Sequence, residues 1–142
     1  MQLNTVKSIL EKVYSSNNPN EICLIDRGIV DTLFWNTYHQ KLNNVLSENL
    51  LINTTALKEY NLLPSLLVVL YTTPDEAINR RGGEGRIVTF DFVKRFNKLL
   101  LDFIETFYTF VPVYQLDTSG LSPEIVSNKV LKEINKYFLS SK

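Results

Sequence analysis

Extremes are missing from this sequence. Its 142 residues hold one cysteine, Cys23, one histidine, His39, and one tryptophan, Trp35. A single cysteine cannot close an internal disulfide, which suits a reducing compartment, so a cytoplasmic location is expected. His39 has no Cys or His companion at ligand spacing, which argues against a zinc site. Fifteen lysines and arginines balance fifteen aspartates and glutamates. With no net charge, the chain lacks the global basic field that draws in nucleic acid, and no nucleic-acid partner is expected. No apolar run approaches the ~20 residues of a membrane span, because SLLVVLY is only strand-sized. The opening MQLNTVKSILEKVYSS also lacks the apolar block and cleavage site of a signal peptide, so no membrane partner is expected. Internal repeats, low-complexity segments, a serine triad and a dinucleotide fingerprint are absent too.

The chain is long enough to bury a core as a single domain over residues 1–142. Leu3, Val6, Ile9, Leu10 and Val13 recur at helical spacing until SSNNPNE breaks the pattern. EICLI follows as a short buried strand ending at Asp26, with Cys23 inside it. Asp31 is placed to cap a helix carrying Leu33, Phe34, Tyr38 and Leu42. NTTALKEYN reads as a further short helix capped by Asn53 or Thr54. SLLVVLYTT, continuously apolar, reads as a strand covered on both faces. Pro74 suits the first turn of a helix over DEAINRR. A long helix then bears Val93, Phe96, Leu100, Phe103, Phe107 and Phe110 on one face, most simply a core stripe, with a helical dimer face as the alternative. VPVYQL is a third strand, DTSGLSP a turn, and Val126, Val130, Ile134 and Phe138 stripe the last helix.

Strands alternating with helices predict an α/β fold with a parallel sheet and flanking helices. Ligands of such sheets gather beyond the carboxyl ends of the strands. Polar residues stand at each of those ends: Asp26 and Arg27, Thr72 and Thr73, and Asp117, Thr118 and Ser119. An aspartate there can take the proton of an attacking hydroxyl or help hold a magnesium shell. The neighbouring arginine can bridge phosphates or hydroxyls with its planar fork. An ion pair at the strand end accounts for Asp-Arg equally well. In RRGGEGRI, glycines give freedom to close as a lid over about residues 80–88, and Arg80, Arg81 and Arg86 place three charges within reach of anionic oxygens. Solvated arginines on an exposed loop are the plainer account of that segment.

LIDRGIVD, TTPDEAINRRGGEGRI and QLDTSGLSPEIV together resemble the later two-thirds of P-loop kinases of small molecules, nearest to the deoxynucleoside kinase and thymidylate kinase group. The resemblance runs from about Glu21 onward. It implies a three-layer, P-loop NTPase-like fold with ATP and Mg2+ as cofactors. It implies that Asp26 acts as base or magnesium-shell residue and Arg27 as substrate contact. It implies further that Arg80, Arg81 and Arg86 neutralise the transferred phosphoryl, that Asp117, Thr118, Ser119 and Gly120 lie near adenine, and that Asp31 and Trp35 line the acceptor pocket.

One hallmark of that family is absent. No G-x-x-x-x-G-K-[ST] occurs, and none of the five glycines precedes Lys-Ser or Lys-Thr. The family's first two strands and its phosphate cradle have no counterpart in this sequence. The strand ending in Asp26 and the strand ending in Tyr71 would then lose the neighbour that lies between them, and unpartnered buried backbone is costly. Direct pairing of the two, a strand from another chain, or an N-terminally incomplete kinase-like domain are the expectations that account for this, and exposed edges would favour a homo-oligomer or a partner chain. Two functions are therefore expected in parallel: a small-molecule kinase whose cradle comes from elsewhere, inactive alone, and a non-catalytic kinase-derived binding or oligomerisation module.

Overall fold

The computed structural model of the chain describes residues 21–42 and 48–139, of which 40–42 and 48–53 as backbone only. The helix expected around Leu3–Val13 lies outside these residues. The chain divides into two compact units, 1–63 and 64–142.

In the first unit, α1 spans Ile29–Leu42 and α2 spans Glu48–Glu59, and the two pack together. Among the described side chains of α1, Val30, Leu33, Phe34, Thr37 and Tyr38 are buried, a run of three- and four-residue steps that forms one stripe. Thr37 satisfies its hydroxyl by donating to the Leu33 carbonyl at 2.9 Å. The helix starts earlier than Asp31: Asp31 N–H donates to Gly28 O at 3.1 Å, so the carboxylate sits inside the first turn instead of capping it. It still faces the positive end of the helix dipole. Likewise α2 begins at Glu48, so Asn53 and Thr54 lie within the helix, and Thr54 is buried at 1 % exposure.

The first expected strand does not form. Glu21 to Ile25 has no regular structure, and Ile22, Cys23, Leu24 and Ile25 are exposed, Leu24 at 72 %. A strand exists only through its ladder, and nothing among the described residues pairs with this segment. Cys23 is therefore exposed, not buried.

The second unit is mixed α/β. Its elements are β1 (Leu67–Tyr71), α3 (Pro74–Arg81), α4 (Phe90–Phe107), β2 (Val113–Asp117) and α5 (Pro123–Leu139). The strands pair in parallel, Leu67 with Val113 through Tyr71 with Asp117, so both end flush and the residues after them stand side by side. The sheet among the described residues has these two strands, not three. Double-sided burial of the apolar run fails for the same reason: Val69 is buried, whereas its neighbour Leu70 is 49 % exposed.

Both inner helices begin on threonine caps. Thr73 accepts from Glu76 N–H ahead of Pro74, and Thr89 accepts from Phe92 N–H. Val93, Phe103, Ile104 and Phe107 are the buried residues of α4, with Phe103 and Phe107 stacked at 5.4 Å. Phe96 and Leu100 are half-buried, and Phe110 falls beyond the helix. Val111, Leu116 and Ile134 of this unit are also buried. In α5, Ile134 is buried and Val126, Val130 and Phe138 are half-buried, the stripe its spacing predicts. No helix among the described residues is long and apolar enough to cross a membrane.

Candidate functional site

The residues singled out from the sequence fall in both units. In the first, the chain bends at Asp26 and Arg27 before entering α1, and Arg27 adopts a left-handed backbone with φ 55°. That conformation is uncommon outside glycine and costs energy unless its surroundings impose it. Asp26 and Arg27 are both exposed, and no ion pair joins them. The ion-pair explanation of this dipeptide thus has no counterpart among the described residues.

Arg27 instead borders an open depression of about 450 Å³, lined by Arg27, Asp31, Thr32, Trp35, Asn36 and His39. Arg27, Asp31 and Trp35 are brought together as expected, and Asp26 does not line the depression. Thr32, Asn36 and His39 were not anticipated. Helical spacing would have found them, because Asp31, Trp35 and His39 follow one another at four-residue steps and so do Thr32 and Asn36. The Trp35 and His39 rings lie 6.1 Å apart. The depression offers a guanidinium, a carboxylate, an indole, an amide and a hydroxyl, a set able to hydrogen-bond a polar ligand while stacking on its flat part.

In the second unit, polar residues close the end of the sheet. Thr118 N–H and Oγ1 both donate to Tyr71 O, at 2.8 and 3.0 Å. Ser119 Oγ approaches Asp117 Oδ1 at 2.6 Å, Thr72 Oγ1 at 3.1 Å and Thr73 Oγ1 at 3.3 Å. A serine has one hydroxyl proton. The short contact to the carboxylate claims it, so Thr72 is the donor towards Ser119, which also accepts from Thr73 N–H at 2.9 Å. The hydroxyl of Ser119, then its N–H, hold the Asp117 carboxyl below its ordinary value; slight burial opposes them and the Arg80 charge adds to them. Asn97 of α4 joins the group by donating to Thr72 O at 2.7 Å. Gly120 takes φ 68°, which lets the turn after β2 reverse without side-chain strain.

The three arginines of the glycine-rich segment differ in place and company. Arg80 and Arg81 form the last turn of α3, and Arg86 lies in the loop that follows. Arg80 is engaged: Nε pairs with Glu76 at 2.9 Å, and Nη2 donates to Thr118 O at 2.6 Å. Arg81 and Arg86 are exposed and hold no hydrogen bond or ion pair among the described residues. The loop itself is ordered by its own contacts. Gly82 and Gly83 donate to Asn79 O and Ile78 O, both at 2.9 Å, a helix-ending pair of bonds that requires the left-handed φ of 84° at Gly82. Glu84 then accepts from Phe90 N–H at 2.8 Å, placing its carboxylate on the amino end of α4.

No group of three or more His, Cys, Asp or Glu side chains suited to a metal occurs among the described residues. Asp26, the residue the kinase resemblance implies for a magnesium shell, is exposed and belongs to no such group. For ATP itself, the sequence contains no phosphate-cradling loop. Comparison with known proteins finds no matching family model, no similar curated protein and no similar solved structure.

Proposed function

We propose that this chain is the acceptor-binding and lid portion of an ATP-dependent small-molecule kinase of P-loop type, working in the cytoplasm and inactive without a phosphate cradle from other residues. The acceptor is a nucleoside, a nucleotide or another small hydroxylated molecule. The observation that carries the reading is the depression beside the Asp26–Arg27 bend, in which Arg27, Asp31 and Trp35 converge. There Trp35 stacks on the flat part of the acceptor, Asp31 and Asn36 accept and donate hydrogen bonds, and Arg27 meets a hydroxyl or phosphate. Asp26 takes the proton of the attacking hydroxyl and supplies a carboxylate to magnesium. Arg81 and Arg86, which hold no hydrogen bond or ion pair among the described residues, carry the charge of the lid.

Trp35, the only tryptophan, reports on this depression directly. Titration with a panel of nucleosides and nucleoside monophosphates is expected to give a saturable fluorescence change, with affinity lowered at least about tenfold by Asp31→Ala, as for loss of a buried or charge-assisted hydrogen bond. A folded protein whose Trp35 responds to no member of the panel overturns the acceptor site. In a protein extended by a phosphate cradle, Asp26→Asn is expected to abolish turnover, and unchanged turnover removes Asp26 from the mechanism.

A second reading has its own support. Each strand of the β1–β2 pair has one edge without a ladder partner among the described residues, and Leu70 and the Ile22–Ile25 run are exposed. Such edges and apolar segments suit a kinase-derived module that associates with a partner or with itself. Light scattering distinguishes the two, since a monomer at high concentration counts against association.

A further inference from the structure

Helix α3 has no buried side chain. Eight residues long, it cannot owe its position to core burial alone. Its amino end is tied by Thr73, whose N–H donates to Ser119 Oγ at 2.9 Å. Its carboxyl end is tied by Arg80, whose Nη2 donates to Thr118 O at 2.6 Å and to Leu121 O at 3.4 Å, while Nη1 reaches Thr118 Oγ1 at 3.4 Å. Thr118 O also accepts the bond that closes the turn, from Leu121 N–H at 3.1 Å. One carbonyl thus serves both the turn and the helix. The glycine-rich loop leaves α3 one residue after Arg81, beginning at Gly82.

We propose that Arg80 is a latch that couples the glycine-rich loop to the Thr118–Leu121 turn, so that the loop and the end of the sheet open together. Arg80 is in this respect a positioning residue, and the charge it was expected to offer a phosphoryl group is already committed to the protein. A planar fork suits the task, because several donors of one rigid group reach oxygens on two sides of the turn. The Glu76 carboxylate on the preceding turn of α3 pairs with Nε and aims the fork. Arg81 provides an internal control for the far end of the coupling: it is adjacent and carries the same charge, but its guanidinium lies over Gly85 and makes no hydrogen bond to the Thr118–Leu121 turn. The coupling stands independently of whether the chain transfers phosphoryl groups.

Native-state hydrogen exchange on the full chain tests it. Arg80→Gln is expected to accelerate exchange at least about tenfold in both the Gly82–Gly85 and the Thr118–Leu121 amides, the signature of one shared local opening. Amides in the centre of α4, around Phe103–Phe107, are expected to stay unchanged, and Arg81→Gln, whose guanidinium lies over Gly85, is expected to leave the Thr118–Leu121 amides unchanged. Acceleration confined to one segment, the same response from Arg81→Gln, or uniform acceleration that includes α4 overturns the latch. If Arg80→Gln does not fold, Arg80→Lys keeps the charge and loses the fork. It is expected to loosen both segments together to a smaller extent, and no change in Arg80→Lys overturns the proposal.

Discussion

Ser119 and Asp117, two residues apart at the end of β2, are joined twice: the serine hydroxyl meets Oδ1 at 2.6 Å and the serine N–H meets the same oxygen at 2.9 Å. Both donors favour the charged carboxylate, so the Asp117 carboxyl titrates below its ordinary value of 3.8. The folded chain therefore takes up this proton later than the unfolded chain as the pH falls. The resulting stabilisation is fully present above the ordinary carboxyl value and is lost as the pH falls through the lowered folded value. Asp117→Asn is expected to lower the melting temperature at neutral pH, and the gap to wild type is expected to close in acid. Thermal melts across that range check it, and a gap that widens in acid refutes it.

Ser119→Ala removes the largest cause of that shift and leaves the backbone bond in place. Carboxyl titration by NMR is expected to show the Asp117 value moving up towards 3.8. An Asp117 value unaffected by the loss of the hydroxyl would mean that the side-chain bond does not form in solution.

Phe107 is fully buried at 0 % exposure and stacks on Phe103. Phe107→Ala is expected to cost about 3–5 kcal/mol, the usual range for emptying such a site. Urea denaturation measures it. A loss below about 1 kcal/mol, typical of surface positions, would mean that the site is not packed as described.

Gly82 ends α3 at φ 84°, with open space where a Cβ would stand. The penalty for Gly82→Ala is therefore conformational alone, about 1–2 kcal/mol, and Gly82→Asn is expected to cost less, since asparagine visits this region more readily. Equal stability of all three proteins by chemical denaturation would argue that the helix does not end here.

Cys23 is exposed in an irregular segment. A thiol reagent is expected to modify it in the native protein at nearly the rate of a small free thiol, whereas a thiol enclosed in a strand would react only on unfolding. The two rates, with and without denaturant, settle its environment.

Much of the helical structure was legible because periodicity is a local property. The Ile134-centred stripe of α5 and the aromatic stripe of α4 follow from three- and four-residue spacing, and Pro74 marked the first turn of α3. Starts were less legible. Asp31 resembles a cap, yet Gly28 precedes the helix, because a cap is defined by which N–H lacks a partner. The site was legible in part for the same reason. Asp31 and Trp35 were found one helical turn apart, while His39, one turn further on, was read as an isolated residue.

By itself the sequence determined most of the helices, the apolar runs that became β1 and β2 with the polar residues after them, and the lack of a phosphate cradle, since each depends on residue order within a short window. Tertiary structure decided what those residues do. EICLI and LVVLY are both apolar and β-prone, but only the second acquires a neighbour, because a strand requires another strand beside it. Arg80 and Arg81 are identical in chemistry and adjacent in sequence. One bonds across to Thr118 and the other lies over Gly85 with no hydrogen bond or ion pair among the described residues, because successive helical residues point about 100° apart.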